Sequence, residues 1–256
     1  MPRTGLLGRK LGHSYSPRLH ALYGDNGYRL FEIEPEAVAD FLRNGPFDAL
    51  NVTIPYKKDA AQACAELSPT ARATGSVNTV VRLADGKLLG DNTDAFGFAY
   101  AFSKLGIPTA GKKALVLGSG GAAATVRHVL SELGAKPVTI SRQGPDNYGN
   151  LVRHADAHLI VNATPVGMYP HCGEAPLSLC GFPLLEAVFD LVYNPARTTL
   201  LKEAEKLGIP CANGLLMLVA QAHRSREIFE NHAIDQNMIE EVFRKMLDFA
   251  TGSKPC

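Results

Sequence analysis

Short runs of apolar residues alternate with amphipathic stretches along almost the whole chain, and this alternation is typical of α/β architecture. In the first 95 residues the pattern predicts strands and helices in turn. The predicted strands are 4–8, 28–33, 49–53, 79–83 and 87–89, and the predicted helices are 17–23, 35–43 and 57–67. Asp85-Gly86 lies between the last two strands and favours a hairpin turn there.

The pattern changes after residue 95. A helix at 96–105 ends on Gly106 with Pro108 following, and buried strands and helices then resume. The predicted strands are 113–117, 136–140, 159–162, 187–191 and 209–212, and the predicted helices are 121–133, 198–207, 215–231 and 235–249. We expect the last two helices to pack back on the N-terminal half. Two domains are therefore predicted, one formed by 1–95 with 215–256 and the other by 96–214.

Composition narrows the class of protein. Of the 256 residues, 46% are apolar and 20% charged, which fits a globular chain and neither a disordered chain nor a coiled coil. With 26 basic and 25 acidic residues the net charge is +1, so no nucleic-acid partner is expected. No stretch reaches the ~20 apolar residues of a membrane span, and the N-terminus has no signal-peptide core. We expect no membrane partner and a cytoplasmic location.

The spacing of the cysteines and histidines bears on disulfides and metal binding. Five scattered cysteines without a Cys-x-x-Cys pair predict reduced, mostly structural thiols. His154 and His158 are four residues apart but have no third ligand near them in the sequence. No metal site is therefore predicted.

A glycine-rich turn follows the strand at 113–117. The residues Gly118-Ser119-Gly120-Gly121-Ala122 stand between this strand and the next helix. Gly118 permits a tight turn, Gly120 lets backbone approach a pyrophosphate, and the small residues after it let the helix pack closely on the sheet. The amides and dipole at the helix N-terminus then attract phosphate charge. This context predicts dinucleotide binding.

The choice of cofactor should be made at the end of the next strand. An NAD site usually has an acidic residue there, which holds the ribose 2′-hydroxyl. This chain has Ser141-Arg142-Gln143 and no carboxylate before Asp146. Arg142 and Ser141 are suited to a 2′-phosphate, which favours NADP. The alternative is that Arg142 is a solvated loop cation.

Two serines precede the first predicted helix. Ser14 and Ser16 are two residues apart and could hold a carboxylate together with backbone amides. The alternative is that Ser16 caps the helix and Ser14 shapes the turn.

A second polar group follows the third strand. Asn51 and Thr53 flank one residue of a strand and so face the same side. Lys57 falls in the first turn of the next helix, where the helix dipole disfavours a cation. This unusual place suits an amine that exchanges protons, whereas the adjacent Lys58 is expected to be a solvated surface cation.

Asp94 lies just before the helix at 96–105, where an aspartate commonly serves as a helix cap. A more specific hypothesis is that Asp94 pairs with Lys57 next to a hydroxylated substrate. The pair would then transfer a proton while a nicotinamide takes hydride.

Together these motifs resemble those of the shikimate dehydrogenase family, and the likeness covers nearly the whole chain. Eight motifs stand in the family's order. They are His13-Ser14-Tyr-Ser16-Pro17, Asn51-Val-Thr53-Ile-Pro55-Tyr-Lys57, Val77-Asn78-Thr79, Gly90-Asp91-Asn92-Thr93-Asp94, Gly118-Ser-Gly120-Gly121-Ala122, Asn162-Ala-Thr164-Pro-Val-Gly167-Met168, Asp190-Leu-Val-Tyr193-Asn-Pro195 and Asn213-Gly214-Leu-Leu-Met217-Leu-Val-Ala-Gln221. One such motif would be weak evidence, but eight in order are highly specific.

The resemblance implies an oxidoreductase that reversibly reduces 3-dehydroshikimate to shikimate with NADPH, on the route to chorismate and the aromatic amino acids. It implies an N-terminal α/β substrate-binding domain completed by the C-terminal helices, and a Rossmann-type NADP-binding domain. The expected partners are small molecules, and the expected assembly is a monomer or homodimer.

The resemblance also implies roles for individual residues. Lys57 and Asp94 would form the catalytic pair, with Lys57 as the proton-transfer residue, and Ser14 and Ser16 would hold the substrate carboxylate. Ring hydroxyls would be contacted, or their contacts supported, by Asn51, Thr53, Asn78, Thr93 and Gln221, with Tyr193 close to both ligands. The cofactor would be lined by Gly118, Ser119, Gly120, Gly121, Ala122, Ser141, Arg142, Thr164, Leu191 and Gly214.

Some positions depart from the family. Lys10 replaces a common proline, Ser141-Arg142-Gln143 replaces Asn-Arg-Thr, and Ala-His223-Arg224-Ser225-Arg226 replaces small and aromatic residues after Gln221. Three alternatives remain open at this point: a quinate/shikimate dehydrogenase that also uses NAD, a non-catalytic ligand sensor, and a two-domain enzyme acting on a folate. The intact Lys–Asp pair and glycine turn argue against a sensor. The serine pair and the Asn-Val-Thr segment argue against a folate enzyme.

Overall fold

Two sheets bury the apolar runs of the sequence in the computed structural model of the protein. The structure describes residues 2–12 and 14–252, with the side chains of 251 and 252 excepted. The chain divides into two compact units. The first contains the residues up to Gly97 and Val219–Val242, and the second contains Phe98–Leu218 and the residues from Phe243 on.

The first unit is built on a six-stranded mixed sheet. Its elements in chain order are β1 (Thr4–Gly8), α1 (Ser16–Leu22), β2 (Arg29–Glu32), α2 (Pro35–Asn44), β3 (Ala49–Val52), α3 (Lys57–Ala63), β4 (Glu66–Leu67), α4 (Pro69–Thr74), β5 (Thr79–Arg82), β6 (Leu88–Asp91) and α5 (Thr93–Ser103), which continues into the second unit. The strand order is β2-β1-β3-β5-β6-β4. β1 runs parallel to β2 and β3, whereas β5 is antiparallel to both β3 and β6.

Residues from strands and helices share one core in this unit. Leu7, Leu50 and Val80 from the sheet pack with Leu42 and Phe47, and all five are fully buried. Because β1 and β3 are parallel, their carboxyl ends meet at one edge of the sheet, where loops that carry polar residues follow both strands.

The first unit differs from the prediction at several points, and α5 begins at Thr93, before the predicted residue 96. Ser16 is the first residue of α1 and not its cap, because its own amide donates to the Ser14 hydroxyl at 3.2 Å. The helix predicted over 57–67 ends at Ala63, because the Ala65 amide donates to Leu88 and the chain joins the sheet as β4. The short helix α4 was not predicted, although Ser68 caps it by accepting from the Ala71 amide at 3.1 Å.

The second unit is a parallel five-stranded sheet with helices. Its elements are β7 (Lys113–Leu117), α6 (Gly121–Glu132), β8 (Lys136–Ile140), β9 (Leu159–Asn162), β10 (Ala187–Asp190), α7 (Thr199–Lys206) and β11 (Cys211–Asn213). The strand order is β11-β10-β9-β7-β8. β8 and β9 lie on opposite sides of β7, so the order reverses after β7, and ligands of such sheets bind at this point.

The two C-terminal helices are α8 (Leu215–Glu230) and α9 (Asn237–Gly252), close to the predicted 215–231 and 235–249. The predicted α/β class is confirmed. The assignment of substrate binding to 1–95 with 215–256 and of dinucleotide binding to 96–214 stays a prediction.

The thiols differ in part from the prediction. Cys64, Cys180 and Cys211 are free, and burial raises the pKa of the Cys64 thiol to about 11. Cys172 takes part in a disulfide, so the prediction of reduced thiols is wrong at this position. Cys256 lies outside the described residues.

Candidate active site

The centre of the site is an ion pair between two helix N-termini. Lys57 is the first residue of α3, and its Nζ contacts the carboxylate of Asp94, the second residue of α5. The side chains are only 16% and 11% exposed. The α3 dipole disfavours the ammonium of Lys57, whereas the α5 dipole favours the carboxylate of Asp94, which compensates the ammonium directly. The pair therefore presents a partly buried amine with an adjacent proton acceptor.

Asn78 holds the carboxylate from the other side. Its Nδ2 donates to Asp94 Oδ1 at 2.9 Å, and its Oδ1 accepts from the Thr93 amide at 2.8 Å. The backbone donor fixes which end of the Asn78 amide faces Asp94, because only the Nδ2 end has protons to give the carboxylate. Asp94 is thus held by its helix and by Asn78.

A buried layer of hydroxyls and amides lies behind this pair. The hydroxyls of Thr79, Thr93 and Ser225 lie 3.0–3.1 Å from one another. Gln221 Oε1 is 3.4 Å from the Thr93 hydroxyl and 3.5 Å from Asn78 Nδ2. Because these groups are buried and bonded to one another, their dipoles are held in fixed directions beside the ion pair.

Asn51 belongs to this layer. Its Oδ1 accepts from the Tyr28 hydroxyl at 2.8 Å, and its Nδ2 donates to Ser225 Oγ at 2.8 Å. The side chain is buried, and protein groups occupy both ends of its amide. Asn51 is therefore bonded to neighbouring protein groups, and its role towards the substrate stays a prediction.

Ser14, Ser16 and Thr53 lie at the carboxyl edge of β1 and β3. The Thr53 amide donates to Leu7 at 2.9 Å, which places this residue directly after β3 beside the end of β1. Ser14 follows in the loop after β1, its amide bonded to Leu11 at 2.8 Å. No hydrogen bond among the described residues joins these three side chains to Lys57 or Asp94. His13, which opens this motif, lies outside the described residues.

The second unit has the predicted strand, turn and helix around the glycines. Gly118 directly follows β7 with φ +110°, a backbone conformation that favours glycine. Gly120 is the N-cap of α6, and open space surrounds the position that its Cβ would take. Ser119 and Ala122 flank these positions. The amides at the start of α6 are therefore open to an anion.

Ser141 and Arg142 come directly after β8. The Ser141 hydroxyl donates to the Gln143 carbonyl at 2.9 Å, and the Arg142 side chain is exposed. Asp146 contacts His154 Nε2 at 2.8 Å, so the nearest acidic residue along this loop is engaged elsewhere. Arg142 is accordingly placed on the surface beside the switch point of the sheet, as a 2′-phosphate ligand requires.

A buried carboxylate ties the next two loops of this unit together. Asp190, at the end of β10, accepts from Asn162 Nδ2 at 2.9 Å, from the Val192 amide at 3.0 Å and from the Thr198 hydroxyl at 2.7 Å. Burial raises the pKa of Asp190 to about 6, against the lowering effect of these three donors. Asn162 Oδ1 in turn accepts from the Thr164 hydroxyl at 2.6 Å. The loops that carry Thr164, Leu191 and Tyr193 are fixed in this way.

Gly214 closes the same edge of the sheet. A Cβ at this position would lie 2.0 Å from the Leu191 carbonyl oxygen, so only glycine fits without backbone movement. Gly118, Gly120 and Gly214 together keep the carboxyl edge of the sheet clear of side chains, which fits the approach of a dinucleotide.

Comparison with known proteins gives the family. The model of the shikimate dehydrogenase substrate binding domain matches residues 6–80, which include Lys57 and Asn78. A shikimate dehydrogenase (NADP(+)) from Oleidesulfovibrio alaskensis is 38% identical over 254 residues, which cover 90% of this chain and 90% of that protein. The chain belongs to the shikimate dehydrogenase family. Two solved structures of this family are close in fold along nearly their whole length.

One of these is a chorismate mutase/shikimate 5-dehydrogenase fusion protein from Clostridium acetobutylicum. It is 34% identical with a TM-score of 0.89, over 97% of this chain and 98% of that chain. The other is shikimate 5-dehydrogenase from Thermus thermophilus in complex with NADP(H) and shikimate. It is 34% identical with a TM-score of 0.84, over 96% of this chain and 99% of that chain.

The family motifs and the structure agree in what they bring together. Lys57, Asp94, Asn78, Thr93 and Gln221 form one bonded cluster in the first unit. The sequence analysis gave no site role to four residues that the structure places there, namely Tyr28, Thr79, Ser225 and Asp190. Ser225 lies one helical turn after Gln221, so the i, i+4 spacing could have found it. Nothing in the sequence around Tyr28 marks its contact with Asn51.

Membrane spans and metal-binding clusters are both absent from the described part of the chain. No helix there is long and apolar enough to cross a membrane. No group of three histidine, cysteine or acidic side chains there could hold a metal ion.

Proposed function

We propose that this chain is an NADP-dependent shikimate dehydrogenase, which interconverts 3-dehydroshikimate and shikimate in aromatic amino acid biosynthesis. The observation that carries the proposal is the Lys57–Asp94 pair with Asn78 behind it, in the unit that contains the matched substrate-binding segment. The family membership and the relatives named for NADP support the same conclusion.

Lys57 is the residue that moves the proton. During oxidation Nζ acts as the neutral amine, takes the proton of the reacting hydroxyl and becomes the ammonium that pairs with Asp94. During reduction the ammonium gives that proton to the reacting carbonyl oxygen. Asp94 stays in contact with Nζ and balances its charge in both directions, while Asn78 prevents the carboxylate from rotating away. Enzymes use such positioned acid–base groups for about a hundredfold or more in rate.

The remaining substrate contacts are part of the proposal. Ser14 and Ser16 bind the carboxylate with the backbone amides of their loop, and Thr53 and Gln221 contact ring hydroxyls. Asn51 and Thr93 support these contacts, and Tyr193 is a further substrate-binding residue.

The residues of the second unit fit NADP. The turn of Gly118–Ala122 and the N-terminus of α6 would hold the pyrophosphate, and Ser141 and Arg142 would hold the 2′-phosphate. Thr164, Leu191 and Gly214 would line the nicotinamide half. When bound, NADP supplies the acceptor or donor of hydride at its nicotinamide ring. The cytoplasmic location and a monomeric or homodimeric state stay predictions from the sequence.

An assay of four substrate pairings tests this function. Formation of reduced nicotinamide is followed by absorbance with shikimate or quinate, each with NADP or NAD. We expect turnover of shikimate with NADP to exceed the other three pairings. Comparable turnover with quinate or NAD would instead indicate a dual-substrate dehydrogenase. No turnover in any pairing, from a folded protein that binds shikimate, would indicate a sensor and refute the proposal.

A further inference from the structure

A continuous series of buried hydrogen bonds runs from Tyr28 to the Lys57–Asp94 pair. The Tyr28 hydroxyl donates to Asn51, and the Asn51 amide donates to Ser225 Oγ, each at 2.8 Å. Ser225 Oγ lies 3.0 Å from the hydroxyls of both Thr79 and Thr93. Ser225 is fully buried, and it lies one turn after Gln221 in α8.

The Ser225 hydroxyl has an acceptor in its own helix. It lies 3.0 Å from the backbone carbonyl of Gln221, one turn earlier in α8. With its proton on that carbonyl, Ser225 accepts hydrogen bonds from its other neighbours. A hydroxyl oxygen has two lone pairs, and the Asn51 amide occupies one of them. The second is left for one of the two threonine hydroxyls.

Ser225 is one of the acceptors within reach of the threonine protons. Asn78 Oδ1 is another, 3.0 Å from the Thr79 hydroxyl and 3.1 Å from the Thr93 hydroxyl, and Gln221 Oε1 lies 3.4 Å from the Thr93 hydroxyl. A threonine proton on Asn78 Oδ1 adds to the bond from the Thr93 amide there, which keeps Nδ2 on Asp94. Thr79, Thr93 and Asn78 are all almost completely buried, so no solvent proton can replace a missing one.

We propose that Ser225 is a positioning residue for the Lys57–Asp94 pair, which it orders through Asn51, the two threonine hydroxyls and Asn78. Ser225 touches neither Lys57 nor Asp94 itself, so its effect is on the alignment of the pair and not on proton transfer directly. The inference rests on the proposed dehydrogenase function, because alignment is measured through turnover.

Replacement of Ser225 by alanine removes the acceptor and keeps the helix. The Asn51 amide is then left with Thr79 Oγ1 and the Asn78 carbonyl, each at 3.3 Å, and both threonine hydroxyls lose a neighbour 3.0 Å away. We expect Ser225→Ala to lower kcat for shikimate oxidation by about tenfold, because a less well-aligned Lys57–Asp94 pair transfers the proton more slowly. KM for NADP should stay within about twofold of wild type, because the change does not reach the cofactor residues.

Ser76→Ala is the matched control. Ser76 is as deeply buried in the same unit, and its hydroxyl has no hydrogen-bond partner within the part of the chain that the structure describes. Both variants lose one buried hydroxyl, but only Ser225→Ala breaks the series. We expect Ser76→Ala to keep wild-type kcat, and thermal unfolding to show both variants folded.

The kinetic outcomes separate the claims. A fall in kcat in Ser225→Ala but not in Ser76→Ala supports the inference. Equal kcat in the two variants overturns the inference. The proposed function is still supported in that case, as long as the wild type turns over. An inactive wild type overturns both. If Ser225→Ala does not fold, Ser225→Cys is tested in its place, because the thiol has a similar volume and is a weaker hydrogen-bond acceptor than the hydroxyl. Its kcat should fall in the same direction, and wild-type kcat in that variant would equally overturn the inference.

Discussion

Mild acid should weaken the first unit through the buried His20. Its ring stacks on Tyr28 with the centroids 3.8 Å apart, and the residue is 1% exposed. Burial, and after it the charge of Arg226, lower the pKa of His20 from 6.5 to about 3, against a smaller opposing effect of Asn51. The folded protein therefore keeps His20 neutral at a pH where the unfolded chain protonates it.

The sign and size of the effect follow from proton linkage. The folded-state pKa is depressed, so below pH 6.5 the unfolded state binds more protons and stability falls as the pH falls towards 3. Each pH unit in this window costs about 1.4 kcal/mol. Between about pH 7.5 and about pH 5 the free energy of unfolding should therefore fall by about 2 kcal/mol through His20 alone.

Urea unfolding followed by circular dichroism at the two pH values measures this. His20→Phe keeps an aromatic ring against Tyr28 and removes the titration, so wild type should lose about 2 kcal/mol more than this variant between the two pH values. His128→Gln, on α6 of the second unit, serves as the control and should behave as wild type does. Equal losses for wild type and His20→Phe, within about 0.5 kcal/mol, would refute the reasoning.

Three further predictions concern other parts of the structure. Asp25→Ala removes one of the two carboxylates that pair with the buried guanidinium of Arg226, while Glu230 remains as the other. The free energy of unfolding in urea should fall by about 2 kcal/mol, and a change under about 0.5 kcal/mol would contradict this. Gly214→Ala places a Cβ against the Leu191 carbonyl oxygen. It should lower the melting temperature, and it should also lower the affinity for NADPH measured by fluorescence titration. A wild-type melting temperature would argue against the close packing. Arg142→Ala should raise KM for NADP by about tenfold and leave KM for NAD within about twofold, whereas equal effects on both would mean that Arg142 does not bind the 2′-phosphate.

Much of the fold is encoded locally and could be predicted from the sequence. The strand, glycine turn and helix at 113–132 are adjacent in the chain, so composition and periodicity suffice for them. The segment at 57–74 could not be predicted in this way. Alanine-rich composition favours a single helix there, but pairing of β4 with β6 outweighs that preference, and such pairing depends on residues more than twenty positions away.

The site was predictable in its main residues and not in its interior. Lys57 and Asp94 are 37 residues apart. Their chemistry and the family motifs, and not their spacing, predicted that they form a pair. In the layer behind them, the i, i+4 spacing could have placed Ser225 near Gln221, but no local pattern indicates that Tyr28 or Ser225 contacts Asn51. Asp190 was recognisable only as part of a motif, and its role in fixing two loops follows from its three hydrogen bonds.

The most direct test of the proposed mechanism compares two adjacent lysines. Lys57 is paired with Asp94, whereas Lys58 beside it is exposed, so Lys58→Ala is a matched control for Lys57→Ala. The measurement is kcat for shikimate oxidation with NADP, together with NADPH affinity. Lys57→Ala should lower kcat by about a hundredfold or more with NADPH affinity unchanged, and Lys58→Ala should keep kcat. Turnover of Lys57→Ala within about threefold of wild type, or an equal loss in Lys58→Ala, would contradict the role of Lys57 in proton transfer.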